Sequence, residues 1–149
     1  MEIRYKIELL EESGFSYSPD FNYDNIDLNA VTYQFMHNII PNPDRSELSL
    51  TMTTEIMPKD SNEILAKESV FAVFKIEPFD KVIQINEGGF RTTEPLLIET
   101  FISIVIGALR GMLVKNLKGT PLAKSIMPLI PMDMIRQNTA RFAEEKQKK

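Results

Sequence analysis

The sequence contains no cysteine and no tryptophan, and its only histidine is His37. Without cysteine there is no disulfide, no thiolate zinc site and no cysteine nucleophile, and a reducing compartment is favoured. One histidine supplies neither the ligand set of a typical metal site nor a catalytic histidine with a recognisable nucleophile and carboxylate. We therefore predict a structural His37, and we expect no metal, no cofactor and no enzymatic activity.

The chain also lacks a basic field. It has 17 Lys and Arg against 21 Asp and Glu, which gives a formal net charge of −4, and its pI is near 5.1. Nucleic acids attract basic proteins through their phosphates, so a DNA or RNA partner is disfavoured. Cationic or unfolded polypeptides suit this charge better.

No uncharged apolar run is long enough for a typical membrane span. The most hydrophobic stretch, residues 95–114, is interrupted by Glu99 and Arg110, so we expect a buried helix and no membrane insertion. Residues 1–10 alternate charged and apolar side chains, unlike a signal peptide. A cytoplasmic location and a single domain over residues 1–149 are the resulting expectations.

Four segments have the two-residue period of a β-strand with at least one apolar face. They are Ile3–Leu9, Val31–Ile39, Leu48–Ile56 and Glu68–Ile76. A long connection follows the first, with Ser13-Gly14 and many turn formers but also Phe21, Tyr23 and Ile26. The other connections are short, which predicts an antiparallel meander of the last three strands. Phe71 and Val73 make the fourth strand apolar on both faces, so we expect it to be covered on both sides.

The second half of the chain predicts helices, and the fold class is therefore α+β. Thr92-Thr93-Glu94-Pro95 offers a threonine cap and a first-turn proline, and a long apolar helix follows until Lys118-Gly119. After it come a compact apolar connector, Pro121–Pro131, and a charged segment, Met132–Lys149, that predicts a short C-terminal helix. Residues 86–89 are expected to form a flexible bend.

Three further patterns leave alternatives open. Residues 20–25 place oxygens as in the first half of a calcium loop, but Asn25 replaces the required glycine and Val31 the bidentate glutamate, so a turn-rich loop is favoured. Gly107 and Gly111 could allow close helix packing at a homodimer interface, or plain core packing. Met127, Met132 and Met134 lie around Pro128 and Pro131. They could fill gaps in a core or form an adaptable apolar surface that accepts varied sequences.

The order of elements resembles the SecB-like family of chaperones. The motifs that carry the resemblance are Ile7-Glu8-Leu9, Gly14-Phe15-Ser16-Tyr17-Ser18-Pro19, Arg110-Gly111, Gly119-Thr120-Pro121 and Ile126-Met127-Pro128-Leu129-Ile130. Where the export chaperones open their long helix with Phe-Pro-Tyr-Ala-Arg-Glu, this chain has Leu96-Leu97-Ile98-Glu99-Thr100. The resemblance at this point does not extend to partnership with the translocase motor.

The resemblance implies a holdase that binds unfolded or partly folded polypeptides in hydrophobic grooves, and a homo-oligomer, either a dimer or a dimer of dimers. It places the polypeptide-binding residues in the crossover loop and after the long helix: Phe21, Tyr23, Ile26, Met127, Leu129, Met132 and Met134. The clients would be exported proteins or a specialised client such as an aggregation-prone antitoxin. The alternative is an oligomeric adaptor or structural protein without chaperone activity.

Overall fold

The structure is a computed structural model that describes residues 2–131. Its main element is a four-stranded antiparallel sheet of β1 (Arg4–Tyr17), β2 (Thr32–Asn42), β3 (Glu47–Met57) and β4 (Ala66–Glu77). The spatial order is β1-β4-β3-β2, so the last three strands form a meander and β1 reaches the far edge through a crossover. The predicted topology is confirmed.

Several predicted boundaries were wrong, first of all that of β1. The strand continues through Ser13-Gly14, which the sequence places in the connection, with register irregularities between Ile7 and Leu9 and between Glu12 and Gly14. A bulge places one extra residue opposite the partner strand, so turn-forming residues fit inside a long edge strand. β2 likewise includes Pro41, which an edge strand tolerates.

The segment between β4 and the long helix is more regular than a flexible bend. A four-residue helix, α1 (Phe79–Val82), leads into a hairpin of β5 (Ile83–Asn86) and β6 (Gly89–Thr92). Gly88 has φ 94°, a conformation that favours glycine and closes the tight turn. Asn86–Gly89 is therefore the end of a hairpin.

The long helix α2 spans Pro95–Leu117, with proline in its first turn as predicted. Its N-cap is Glu94, which makes no side-chain capping hydrogen bond; Thr92 instead accepts a hydrogen bond from the Glu94 amide (3.0 Å). By length and composition alone α2 could cross a membrane, a criterion that core helices of soluble proteins also meet. The absence of membrane insertion stays a prediction.

The core lies between one face of the sheet and α2. On β3 and β4 every second side chain is buried there, and on α2 the buried side chains form one broad face. Phe101 of α2 is 2% exposed and stacks on Phe74 of β4, with ring centroids 4.0 Å apart. On the opposite face of the sheet Phe71 and Val73 are only half-buried, so the described residues do not fully cover β4 on both sides.

Candidate functional site

The crossover loop between β1 and β2 is organised around aromatic rings. Tyr23 stacks on Tyr17 with centroids 5.8 Å apart, and Phe21 meets Tyr23 edge to face at 5.1 Å. The Tyr23 hydroxyl donates to the Ser18 carbonyl (2.5 Å). Burial and a hydrogen bond with Tyr17 raise the pKa of Tyr23, so its phenol stays neutral. The loop is thus fixed by its own side chains while its rings stay half-buried.

Two short turns give this loop its shape. Asn22 accepts a hydrogen bond from the Asp24 amide (3.1 Å), and Asp27 accepts one from the Asn29 amide (2.9 Å). These oxygens therefore serve Asx-type caps of 3-10 turns, the structure that the sequence favoured over a calcium loop. Behind them lies a cavity of about 220 Å³, lined by Phe21, Asn22, Asn25, Ile26, Asp27, Ala30, Pro58 and Lys59.

A second apolar row follows β2 on the side of the sheet that faces α2. Tyr33 and Phe35 stack with centroids 6.4 Å apart, and both are half-buried, as is Ile39 further along. Their register partners on β3 are Ile56, Thr54 and Leu50, which are buried. These rings were predicted as one face of the strand but were not predicted as site residues.

The connector after α2 contacts the apolar row of β2 through Ser125. Gly119, with φ 85°, turns the chain away from the helix, and Thr120 accepts a hydrogen bond from the Leu122 amide (3.2 Å) in a short 3-10 turn, Pro121–Lys124. Ser125 then shares a hydrogen bond with the Tyr33 hydroxyl, with the two oxygens 2.5 Å apart. Burial raises the pKa of Tyr33, and the bond to Ser125 counteracts part of that effect. The connector thus lies beside edge strand β2.

Within the connector, buried and exposed apolar side chains alternate. Met127 is 3% exposed, whereas Ile126 is 77% and Leu129 87% exposed. Arg110 of α2 donates to the Pro128 carbonyl (3.2 Å), which holds the segment against the helix. The connector therefore presents two large aliphatic side chains from a backbone that is anchored at three points, Ser125, Met127 and Pro128.

The predicted binding residues divide into distinct groups. Phe21, Tyr23 and Ile26 are together in the crossover loop, and Leu129 projects from the connector. Met127 belongs to the core, so in this conformation it anchors the connector and is not accessible to a ligand. Met132 and Met134, like the predicted C-terminal helix, lie outside the described residues. Ile126, which is 77% exposed, was missed because the sequence does not show which side of the connector faces α2.

The opposite edge of the sheet carries a third apolar surface. On β1 five large side chains are more than a third exposed: Tyr5, Ile7, Leu9, Leu10 and Phe15. β1 pairs only with β4, so the backbone groups on its outer side have no strand beside them among residues 2–131. Such an edge can accept another strand, and its apolar side chains can be buried by it.

The chemistry that these surfaces offer is burial of apolar groups and pairing of backbone. In the described part of the chain no group of three or more His, Asp or Glu residues is arranged to hold a metal ion. The phenols of Tyr23 and Tyr33 stay neutral and are hydrogen-bonded, so neither is poised as an acid or base at neutral pH.

The fold is similar to that of a solved SecB-like chaperone from Mycobacterium tuberculosis, Rv1957, determined in complex with a ChAD peptide from the Rv1956 HigA1 antitoxin. The two chains share 13% sequence identity and align with a TM-score of 0.50 over 86% of this chain and 91% of the chaperone. No protein-family model matches the sequence, and no curated protein matches it. At this identity the similarity shows the fold, which is α+β and SecB-like.

Proposed function

We propose that the protein binds unfolded or partly folded polypeptides as a SecB-like holdase in the cytosol and does not act by catalysis. The observation that carries the proposal is the anchored connector: Ile126 and Leu129 are almost fully exposed although Met127, between them, is buried. Exposing two large aliphatic side chains on a fixed backbone is unfavourable in water and is typical of a surface that binds apolar groups.

The surroundings of the connector support the same function. The half-buried rings of Tyr33 and Phe35 lie on edge strand β2, next to Ser125 of the connector. An unfolded chain could bury its apolar side chains against this row and pair its backbone with the outer edge of β2, which has no strand beside it among residues 2–131. The solved SecB-like chaperone with an antitoxin peptide also supports polypeptide clients.

We also propose that the protein works as a homo-oligomer. The support is the exposed apolar surface of edge strand β1, where Tyr5 is 55% and Ile7 45% exposed. A partner copy that covers these side chains would remove them from water. Sedimentation of the purified chain tests this point directly, and a monomer at micromolar concentration would contradict it.

The holdase proposal is tested by following the aggregation of a reduced, unfolded test protein by light scattering, with and without the purified chain. We expect suppression at near-stoichiometric ratios. Leu129→Ser should weaken suppression several-fold without changing stability, because the Leu129 side chain is 87% exposed and makes little contact with the core. Equal scattering with and without the chain would contradict a holdase and favour an adaptor that keeps only the fold.

Leu96→Ser is the matched control. Leu96 is also an exposed leucine, 71% accessible, but it lies in the first turn of α2, at the opposite end of the helix from the connector. Leu96→Ser also replaces an exposed leucine by serine, but away from the connector. Suppression of aggregation should therefore stay at the wild-type level. If both serine variants lose the same activity, the binding surface is not the connector.

A further inference from the structure

A carboxyl group is buried where the edge strand, the central strand and the end of the helix meet. Glu68 of β4 is 0% exposed. Asn116, in the last turn of α2, donates from its side-chain nitrogen to Glu68 (2.8 Å) and to Glu12 of β1 (2.6 Å). One amide group thus holds two acidic side chains from two neighbouring strands.

None of the other groups around Glu68 that belong to residues 2–131 neutralises it. The Ser69 amide donates weakly to its second oxygen (3.3 Å). On β3 the register partner of Glu68 is Thr54, whose hydroxyl donates to the Gln34 carbonyl (3.1 Å). On β1 its register partner is Phe15. The basic residues at the end of α2, Lys115 and Lys118, are exposed to solvent. Within the described part of the chain, the charged group that acts on the Glu68 carboxyl is Glu12.

Two local features make this contact sensitive to charge. The C-terminal end of a helix carries a partial negative charge, so α2 adds to the cost of carboxylates beside Asn116. The register of β1 is irregular between Glu12 and Gly14, so the backbone ladder next to Glu12 is locally interrupted. Repulsion between the two acidic groups therefore acts on a part of β1 that is already weakly held.

We propose that Glu68, Glu12 and Asn116 form a proton-dependent clamp that ties edge strand β1 to α2 when one proton is shared between the two carboxyl groups, and that loosens when both are ionised. A carboxyl group can donate to a carboxylate only while a proton remains between them. Asn116 holds both groups in either state, but it cannot cancel the second negative charge.

The electrostatics agree with this geometry. Burial, and then the hydrogen bond with Glu12, raise the pKa of Glu68 to about 7, whereas the hydrogen bond from Asn116 lowers it. The folded state thus binds a proton that the unfolded state has already released above the ordinary pKa of glutamate, 4.5. The contribution of the clamp to stability is therefore fully present below pH 4.5 and is lost as pH rises through about 7.

The test is urea denaturation of the full chain at pH 6 and pH 8.5. The unfolding equilibrium constant of the wild type should increase on the order of tenfold over this range. Glu68→Gln imitates the protonated form, because its amide can accept from Asn116 and donate to Glu12, and should remove the increase. Amide exchange should place the loss of protection in β1, after correction for the intrinsic pH dependence of exchange.

Glu11→Gln is the control. Glu11 is exposed on β1, and its substitution removes one negative charge, as Glu68→Gln does. This variant should keep the wild-type dependence of stability on pH. If Glu68→Gln keeps that dependence too, the proposal is wrong. If Glu68→Gln does not fold, Glu12→Gln provides the test. In this variant the pH-dependent loss of stability should move to lower pH, because the negative charge that repels Glu68 is gone. A transition that does not move with Glu12→Gln overturns the clamp.

Discussion

The stack of Phe101 on Phe74 gives a quantitative test of how α2 packs on the sheet. Phe101 is 2% exposed, Phe74 is 0% exposed, and Tyr5 meets Phe101 edge to face at 5.9 Å. Truncation of a buried phenylalanine to alanine costs about 3 to 5 kcal/mol, and the loss of the aromatic contacts places Phe101→Ala in the upper part of that range. Small domains have a free energy of unfolding of about 5 to 15 kcal/mol, so this single change should remove much of it.

The assay is urea denaturation followed by circular dichroism, with the m-value checked so that a change in midpoint reports stability. Phe101→Leu keeps most of the apolar volume and should cost about 1.5 kcal/mol or less. Leu96→Ala, at a position on the same helix that is 71% exposed, should change stability by less than about 0.5 kcal/mol. A loss below about 1 kcal/mol for Phe101→Ala would refute the packing of α2 on the sheet.

Substitutions at three positions test the connector and the turn that leads into it, and the stability of each variant is measured by urea denaturation. Met127→Ala should cost about 2 to 4 kcal/mol because Met127 is 3% exposed, and it should speed proteolysis next to Ile126; unchanged cleavage would argue against an anchor. Gly119→Ala should cost about 1 kcal/mol because φ is 85°, and a neutral result would contradict that backbone conformation. Thr120→Ala should cost about 0.5 to 2 kcal/mol, because the Leu122 amide loses the hydroxyl that caps it. Thr120→Ser keeps a hydroxyl and should keep most of the stability that the cap contributes.

The order of elements was predictable because local patterns encode it. The two-residue period identified β3 and β4 nearly to their ends, and Pro95 and Gly119 marked the limits of α2. Short connections then left the meander as the simplest arrangement. What failed was the extent of β1, because the pairing of residues 10–17 with β4 depends on a strand that lies about 50 to 60 residues further along the chain.

The candidate site was predictable only in part, for a related reason. Phe21, Tyr23 and Ile26 were found because large apolar groups are unusual in a segment rich in turn formers. The separation of Met127 from Ile126 and Leu129 depends on which side of the connector faces α2, and composition carries no information about that. Glu68 was also missed. The alternation of β4 places it on the buried face, but its partners come from β1 and α2, which are distant in the sequence.

A long edge strand with exposed apolar side chains would ordinarily promote uncontrolled aggregation, and β1 has features that oppose it. Arg4, Lys6, Glu8 and Glu11 place charges along it, and Lys6 forms an ion pair with Glu8 (3.2 Å). Its two register irregularities interrupt the regular ladder that an arbitrary strand would need. A partner that pairs with β1 must match both the bulges and the charges, which fits our proposal that a second copy of the chain pairs there. The exposed apolar side chains of the connector, beside β2, impose no such requirement, which fits our proposal that unfolded polypeptides bind at the other edge of the sheet.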